Sequence, residues 1–315
     1  MKVNKPELVA GIRSLGLSKS DHIVVHSSLS SLGYVDGGAD TVIDALQEVV
    51  TPSGTIMMPT YSGQVIYFLE TLALGKDPGG KVFTGEAEEL WRLLRTVSED
   101  SGIEYPFGSP EEMIRRLESE SKRLTESCGW EITLSADGTD NPRIELRRNG
   151  PRPDPDEVKP WKMPVWTGAI PDAFWKRGET IRSHQYSGSF TAWGRHAIDL
   201  TEGHDNRPGQ GTRDHPLYRL KELGGKVLLL GVDHTRNSMI HVAQWSAFEN
   251  FDRELPPHWR EFMDDFRQVE GTLDECGGQE KGKVGDALCR LCDAGALFQV
   301  VADLLRQRAE AELGR

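Results

Sequence analysis

Two features of the sequence could support chemistry: a loop with four serines and a group of histidines in the second half. The loop lies in VVHSSLSSLGYVDGG, residues 24–38, and its hydroxyls belong to Ser27, Ser28, Ser30 and Ser31. A strand pattern precedes it and a helical pattern follows. Backbone N–H groups and a helix N-terminus attract anions there, so the loop suits a pyrophosphate or pantetheine amides. The alternative is a polar turn whose hydroxyls cap the following helix. The P-loop and GxGxxG patterns do not match it.

Six of the nine histidines lie between residues 184 and 241, namely His184, His196, His204, His215, His234 and His241. Histidine titrates near neutrality and can take a proton from an amine, alcohol or thiol. His241 is predicted in the first turns of a helix, and Gln244 shares its helical face. His204 is flanked by Glu202 and Asp205. Either histidine could be a general base, and a surface or structural role is the alternative.

Metal, thiol and serine-hydrolase chemistry receive less support. HExxH is absent and the histidines lie in separate segments, so we expect no metal. Cys289 and Cys292 form one CxxC in a helical pattern, VGDALCRLCDAGALFQVV, which favours two packed thiols over a metal or redox site. The nucleophile elbow GxSxG is also absent.

The composition limits the classes of partner. The chain has 315 residues, 37% hydrophobic and 27% charged, with a formal net charge of −12. Such a charge disfavours nucleic acid and would attract a polycationic substrate, although solubility alone also explains it. The sequence has no apolar run of about 18 residues and no apolar core of a signal peptide in MKVNKPELVAGIRSLGL. We therefore expect a cytoplasmic protein without a membrane partner.

The elements that must position the serine loop form a βαβ unit. Helices are predicted over 5–17 and 39–50, and strands over 21–26 and 54–60. Ligands of open α/β sheets bind at the carboxyl ends of strands, where the serines and Thr60-Tyr61-Ser62 lie. Residues 63–165 are predicted to be an inserted elaboration, a lid or substrate wall, with an exposed helix over 111–124, a hairpin over 130–148 and an extended loop over 151–160.

Regular order returns after residue 166. The clearest strand is KVLLLGV, residues 226–232, between predicted helices over 215–225 and 237–250. Asn237 or Ser238 is expected to cap the second of these helices. Residues 187–204 are predicted to form a loop and then a helix or strand, and residues 284–311 one or two helices.

Five motifs, in order, resemble the aminoglycoside 3-N-acetyltransferase family, which is distinct from the GNAT superfamily. They are VVHSSLSSLGYVDGGADTVIDAL, GTIMMPTYS, IRSHQYSGSFTAWGRHA, KVLLLGVDHTRNSMIHVAQ and KGKVGDALCRL. The resemblance covers about residues 5–62 and 165–300. It implies an α/β fold, a three-layer α/β/α sandwich with a mixed central sheet, as a single acetyltransferase domain over 1–315. It also implies direct acetyl transfer from acetyl-CoA to a small cationic amine, and is compatible with a homodimer.

The resemblance also assigns roles to individual residues. The expected cofactor-binding residues are Ser27, Ser28, Ser30, Ser31, Leu32, Gly33, Thr60 and Ser189. The expected substrate-binding residues are Tyr61, His184, Asp233 and Gln244. His241 matches the histidine of the HxAE motif and is the favoured base, and His204 is the second candidate.

Departures from the family pattern concentrate on the acceptor side. The acidic residue of HxAE is Gln244, HP becomes His184-Gln185, SPL becomes His215-Pro216-Leu217, and the aspartate expected before NT is Thr235. An amide cannot stabilise an imidazolium as a carboxylate would. The alternatives to aminoglycoside acetylation are therefore an N-acetyltransferase for a different amine and a CoA-binding homologue with little catalysis.

Overall fold

The computed structural model describes residues 2–63, 65–101, 103, 105–135, 142–151, 153–185, 188–205, 211–249 and 266–313. The chain divides into two compact units. The first comprises residues 1–60, 167–183 and 189–315, and the second comprises residues 61–166 and 184–188.

The strands in chain order are β1 (Lys2–Val3), β2 (His22–Ser27), β3 (Tyr34–Val35), β4 (Thr55–Pro59), β5 (Lys81–Glu86), β6 (Trp130–Ser135), β7 (Arg143–Arg148), β8 (Ile181–Arg182), β9 (Phe190–Gly194), β10 (Lys226–Leu230), β11 (Gln279–Val284) and β12 (Ala287–Asp293). The helices are α1 (Lys5–Ser14), α2 (Gly38–Val50), α3 (Ile66–Ala73), α4 (Ala87–Ser101), α5 (Pro110–Cys128), α6 (Ala169–Trp175), α7 (Ala197–Thr201), α8 (Pro216–Glu222), α9 (Met239–Glu249), α10 (Phe266–Glu275) and α11 (Ala294–Leu313).

A seven-stranded mixed sheet organises the first unit, in the order β11-β12-β10-β2-β4-β9-β8. The three central strands β10, β2 and β4 are parallel, and the flanking strands are antiparallel to their neighbours. Strand residues alternate between the two faces. Ile23 and Val25 of β2 pack with α1 and α2 on one face, while α7 and α8 contact the sheet on the other. The predicted three-layer α/β/α sandwich with a mixed sheet is confirmed.

The prediction of only helices over residues 284–311 is wrong. β11 and β12 form an antiparallel hairpin, and the helix α11 begins only at Ala294. Cys289 and Cys292 therefore lie in a strand, where a separation of three residues places them on opposite faces of the sheet. Cys289 belongs to the core with α1 and α2, and both thiols are buried. Pairing of β12 with β10 overrides the helical propensity of this segment.

The second unit has its own antiparallel sheet, in the order β5-β7-β6, with α3, α4 and α5. The predicted hairpin over 130–148 and a helix over 111–124 are confirmed, but the helix is not exposed all round, since Met113, Leu117 and Leu124 are buried. The elements α3, α4 and β5 were not predicted. This unit also contains a partly buried ion pair between Glu70 and Arg148 (2.9 Å), and the indole of Trp130 donates to Glu70 at 2.8 Å. Among the described residues of both units, no helix is long and apolar enough to cross a membrane.

Candidate active site

The serine loop, residues 27–33, lies at the carboxyl edge of the parallel strands. The register of β10 and β2 places Leu230 beside Ser27. The backbone N–H of Ser28 donates to the carbonyl oxygen of Leu230 at 3.0 Å, which ties the start of the loop to the sheet. Loops at this edge of an open α/β sheet bind ligands. The serine loop therefore occupies the place expected of a cofactor cradle.

The serine hydroxyls do not cap the following helix. Ser31 Oγ donates to Ser28 Oγ at 2.8 Å, and Ser28 Oγ lies 3.2 Å from Ser30 Oγ. Helix α2 begins after Gly37 without any side-chain cap. Among the described residues, Ser27 Oγ is buried and has no hydrogen-bond partner. An unsatisfied buried hydroxyl costs about 1–3 kcal/mol, and a polar group of a bound ligand would satisfy it.

Close packing beneath the serine loop depends on Gly231, which follows β10. Its φ is 75°, and an added Cβ would lie 2.9 Å from Ser31 Cβ and 3.2 Å from the carbonyl oxygen of Ser28. Leu32 is buried in the core and anchors the loop through its side chain. Gly33, with φ of 88°, lets the chain turn after it. Any ligand contact of Leu32 would therefore come from its backbone.

Thr60 and Ser189 lie side by side at the same edge of the sheet. The N–H of Thr60 donates to the carbonyl oxygen of Ser189 at 2.9 Å, and the hydroxyl of Ser189 donates to the carbonyl oxygen of Thr60 at 2.8 Å. Thr60 Oγ1 lies 3.0 Å from Thr191 Oγ1. Both Thr60 and Ser189 are 0% exposed. The pair joins the end of β4 to the start of β9 and uses most of its hydrogen-bonding capacity within the protein.

Sequence reasoning missed Arg182, which ends β8. Its Nε donates to Ser189 Oγ at 3.0 Å and its Nη2 donates to the carbonyl oxygen of Thr60 at 2.7 Å. The guanidinium lies 4.9 Å from the ring centroid of Trp175. Burial lowers its pKa to about 10, so it stays charged at neutral pH. The available signal was an arginine inside the motif IRSHQYSGSF.

His204 is buried and His215 is half-buried beside it, with ring centroids 5.2 Å apart. Nδ1 of His204 lies 2.9 Å from Ser183 Oγ, and Nδ1 of His215 accepts the N–H of Leu217 at 3.2 Å. Burial, with the nearby Arg219 cation, lowers the pKa of His204 to about 4. Burial, with His204, lowers the pKa of His215 to about 3. Both imidazoles are therefore neutral at pH 7.

Two aromatic rings complete this histidine pair. Phe190 lies 5.4 Å from His215 and 6.1 Å from His204 between ring centroids. Trp245 of α9 lies 5.9 Å from His215 and is 48% exposed. The cluster thus runs from a fully buried ring to one that reaches the protein surface.

Helix α9 carries the favoured base and the residue expected to assist it. Asn237 Oδ1 accepts the N–H of Met239 at 3.1 Å, so Asn237 provides the cap, as one of the two predicted candidates. His241 is exposed, whereas Gln244 is 2% exposed. The two side chains lie three residues apart but occupy different environments. The histidine is the accessible member of the pair.

The loop before α9 holds Asp233, the remaining expected substrate-binding residue of the first unit, and it lies near His26 of β2. Asp233 accepts hydrogen bonds from the N–H and the hydroxyl of Thr235, and the hydroxyl is the main cause of its lowered pKa. His26, which precedes the serine loop, was not predicted as a site residue. Burial, with nearby His234, lowers the pKa of His26 to about 3, and Ser238 Oγ lies 3.4 Å from its Nε2.

Tyr61 and His184 belong to the second unit. The carbonyl oxygen of Tyr61 accepts the N–H of Trp166 at 2.8 Å. His184 is exposed and stacks on Trp161, with ring centroids 4.2 Å apart and planes 15° apart. The expected substrate-binding residues are thus divided between the two units, since Asp233 and Gln244 lie in the first. Within the described ranges, no group of three or more His, Cys, Asp or Glu side chains could hold a metal ion.

Comparison with known proteins agrees with the motifs. A family model described as aminoglycoside 3-N-acetyltransferase matches residues 24–67 and 146–306. A prophage-derived aminoglycoside N(3')-acetyltransferase-like protein of Bacillus subtilis is 27% identical over 91% of this chain and 86% of its own. Aminoglycoside N(3)-acetyltransferase IX of Micromonospora chalcea is 25% identical over 99% of this chain and 95% of its own.

The fold is also that of solved acetyltransferases. The apoenzyme of aminoglycoside acetyltransferase AAC(3)-IVa has a TM-score of 0.60 at 20% identity, over 98% of this chain and 91% of that one. The crystal structure of the Bacillus subtilis relative has a TM-score of 0.58 at 22% identity, and the match covers 97% of this chain and 94% of that one. Since the family model matches more than half of the sequence, the chain belongs to the aminoglycoside 3-N-acetyltransferase family.

Proposed function

We propose that the protein transfers the acetyl group of acetyl-CoA directly to an amine of an aminoglycoside. The observation that carries the proposal is the serine loop, because its orphaned Ser27 hydroxyl and close-packed Gly231 form a polar cradle at the carboxyl edge of the sheet. Hydroxyls and backbone N–H groups in such a loop suit the phosphates and amides of coenzyme A. Among proteins of similar fold, AAC-IIIb has been solved with CoASH.

An aminoglycoside amine fits the charge of the protein. The chain carries 49 acidic against 37 basic residues, so its field attracts a cationic acceptor. Similar folds have been solved with such molecules: AAC(3)-IVa with apramycin and AAC-VIa with sisomicin. These two complexes are properties of AAC(3)-IVa and AAC-VIa, and they support an aminoglycoside as the substrate class proposed for this protein.

His241 is the base that we favour, and His204 is the second candidate. The acceptor amine must lose a proton before or as it attacks the acetyl carbonyl. His241 lies exposed on α9, where a substrate amine can approach it. His204 is neutral at pH 7 and so has a lone pair, but burial and Arg219 disfavour its charged form. It would hold a transferred proton only while a neighbouring negative charge stabilises the imidazolium.

The reaction balances without a further reagent. Bound acetyl-CoA supplies the thioester, whose carbonyl carbon takes the amine. The new C–N bond forms as the C–S bond breaks and the thiolate leaves. The base takes the proton that the nitrogen loses and passes it to the thiolate or to solvent, which restores the base. Backbone N–H groups of the serine loop are candidate donors to the developing oxyanion. Holding both reactants in one cleft supplies the effective concentration.

A different amine acceptor is the second candidate function, and Gln244 favours it. This position has a neutral, buried amide where the family motif has a carboxylate. Loss of that charge weakens one expected contribution to a polycationic acceptor, whereas the serine loop on the cofactor side matches the family. An amine of lower charge would depend less on position 244.

Acetyl-CoA turnover with a panel of aminoglycosides tests the proposal. Thiol release would be measured for wild type, His241→Ala, His204→Ala and a no-amine control. His196→Ala is the matched control. Nδ1 of His196 lies 2.8 Å from Asp199 Oδ2, and this pair is remote from the serine loop. We expect amine-dependent release by wild type and His196→Ala, and a fall of about 100-fold or more in the variant that removes the base.

Three other outcomes would redirect the assignment. Loss of amine-dependent thiol release in His204→Ala, but not in His241→Ala, would identify His204 as the base. Acetyl-CoA binding without release for any aminoglycoside, but with release for another amine, would select the second candidate. No measurable binding of acetyl-CoA by the folded wild type would overturn the proposed function.

A further inference from the structure

Arg182 connects two strand ends that are far apart in the sequence. The end of β4 at Thr60 and the start of β9 at Ser189 meet at the carboxyl edge of the sheet. Arg182 reaches both, with Nη2 on the carbonyl oxygen of Thr60 at 2.7 Å and Nε on Ser189 Oγ at 3.0 Å. We propose that Arg182 is a positioning residue for acetyl-CoA, which fixes the wall of its site at Thr60 and Ser189. This inference rests on the proposed function.

The contacts leave the Thr60 carbonyl little freedom. Its oxygen accepts one hydrogen bond from Arg182 and a second from the Ser189 hydroxyl at 2.8 Å. A carbonyl oxygen has two lone pairs, so both are used. The Thr60 N–H in turn donates to the Ser189 carbonyl oxygen at 2.9 Å. Since neither side chain is exposed, the pair shapes the site through the position of its backbone.

This wall lies beside the serine loop. β2 and β4 are parallel neighbours, so Ser27 and Thr60 follow the same edge of the sheet. Thr167 Oγ1 donates to the carbonyl oxygen of Pro59 at 2.6 Å. The next residue, Gly168, lies beside the loop, where an added Cβ would be in ordinary van der Waals contact with the Ser27 carbonyl oxygen at 3.9 Å. A displacement at Thr60 would therefore be passed to the serine loop through the neighbouring residues Thr167 and Gly168.

The geometry requires a guanidinium. A planar fork donates to two acceptors at once while its face packs on Trp175, 4.9 Å from the ring centroid. A lysine at position 182 offers one point charge and cannot reproduce this arrangement. The pKa of Arg182, lowered by burial to about 10, keeps it charged at neutral pH, so both hydrogen bonds are charge-assisted.

Arg177 provides a matched control in the same unit. Its Nη1 donates to Asp44 at 2.7 Å and its Nη2 donates to Asp40 at 3.0 Å, so it also forms a half-buried fork. These contacts join the end of α6 to α2. Loss of the Arg177 fork removes similar interactions without touching Thr60 or Ser189.

The experiment compares Arg182→Met, Arg182→Lys and Arg177→Met with wild type. Calorimetry gives the Kd of CoA, steady-state thiol release gives KM for acetyl-CoA and for the amine, and urea unfolding gives stability. We expect Arg182→Met to raise the Kd of CoA and KM for acetyl-CoA at least about 10-fold, the step that 1.4 kcal/mol represents. The Kd of CoA for Arg182→Lys should lie between those of wild type and Arg182→Met. In both variants, KM for the amine should change less than KM for acetyl-CoA. Arg177→Met should lose stability with the Kd of CoA unchanged.

The controls separate the two hypotheses. If wild type does not bind CoA, the proposed function fails, and this inference fails with it. If wild type binds CoA and Arg182→Met binds it equally well, Arg182 is structural only and the proposed function stands. If Arg182→Met does not fold, Arg182→Lys decides: a rise of about 3-fold or more in the Kd of CoA supports the inference, and an unchanged Kd overturns it.

Discussion

Ser183 Oγ lies 2.9 Å from Nδ1 of His204 and accepts the backbone N–H of Phe190 at 2.9 Å. Ser183 is 1% exposed, so these contacts form without competition from water. The backbone N–H fixes the hydroxyl oxygen, and the hydroxyl oxygen fixes the imidazole. Ser183 thus contacts Nδ1 of His204 and thereby sets the direction of the other ring nitrogen, Nε2, without contacting it.

Replacement of Ser183 by alanine tests whether that direction matters. If the second candidate, His204, takes the proton, Ser183→Ala should lower kcat/KM about 10-fold, because the His204 ring loses its fixed orientation and the Phe190 N–H loses its partner. Stability should fall by about 1–3 kcal/mol. Ser14→Ala is the control, since the Ser14 hydroxyl bonds only the end of α1 at 2.7 Å. A stability loss with unchanged kcat/KM would mean that the orientation of His204 has no part in turnover.

Gly231 and Gly224 offer a test of the serine loop. Both have positive φ, 75° and 66°, so an alanine is strained at either position. Only at position 231 would its Cβ meet the loop, 2.9 Å from Ser31 Cβ, while nothing lies within 4 Å at position 224. We expect each variant to lose about 1 kcal/mol from the positive φ, and Gly231→Ala to lose more because its Cβ would also clash with Ser31. Gly231→Ala alone should also weaken CoA binding, about 10-fold or more by calorimetry.

Equal CoA affinity in the two alanine variants would show that the close approach of Gly231 to Ser31 does not shape a cofactor site. The urea unfolding midpoints of the same two proteins measure how much stability each substitution removes.

Three histidines with lowered pKa values predict acid lability. The folded-state pKa values of His26, His204 and His215, about 3, 4 and 3, lie below the unfolded value near 6.5. Below pH 6.5 the unfolded chain binds more protons, so stability falls with falling pH. It falls by up to about 1.4 kcal/mol per pH unit for each histidine until its folded pKa is reached. Urea unfolding at pH 7.5, 6.0 and 5.0 measures the slope.

His215→Ser should flatten that slope. A serine at position 215 can still cap α8, as the imidazole does through the Leu217 N–H, but it does not titrate. The groups that act on His215 are His204 and Arg219, both unchanged in the variant. A slope between pH 6.0 and 5.0 as steep as that of wild type would exclude His215 from the acid response.

The four thiols should differ in reactivity. Cys276 is exposed, whereas burial raises the pKa of Cys128 to about 11, that of Cys292 to about 12 and that of Cys289 above its usual value. Since the thiolate is the reactive form, we expect one fast equivalent with a disulfide reagent at pH 8. Cys276→Ser should abolish the fast phase. A fast phase that persists in that variant would mean that a buried cysteine is accessible.

Local patterns were sufficient where neighbours in sequence determine the structure. The strand over 226–230 is apolar at every position after Lys226, and the serine loop follows a strand and precedes a helix, as the residue types indicate. The hairpin over 130–148 could likewise be predicted from its alternation, although its turn at 136–141 lies outside the described residues. The pattern failed at Cys289 and Cys292, because a short apolar segment suits a helix or a strand equally and pairing with β10 determines the result.

The sequence by itself determines the βαβ unit, the serine loop at the end of its strand, the motifs that identify the family, and the candidate histidines. Only the tertiary structure joins Arg182 to Thr60 and Ser183 to His204, and only it distinguishes an exposed His241 from a buried Gln244. These relationships depend on which strands become neighbours and which face each helix covers. Such long-range contacts are selected by the packing of the whole core, which no local spacing of residue types encodes.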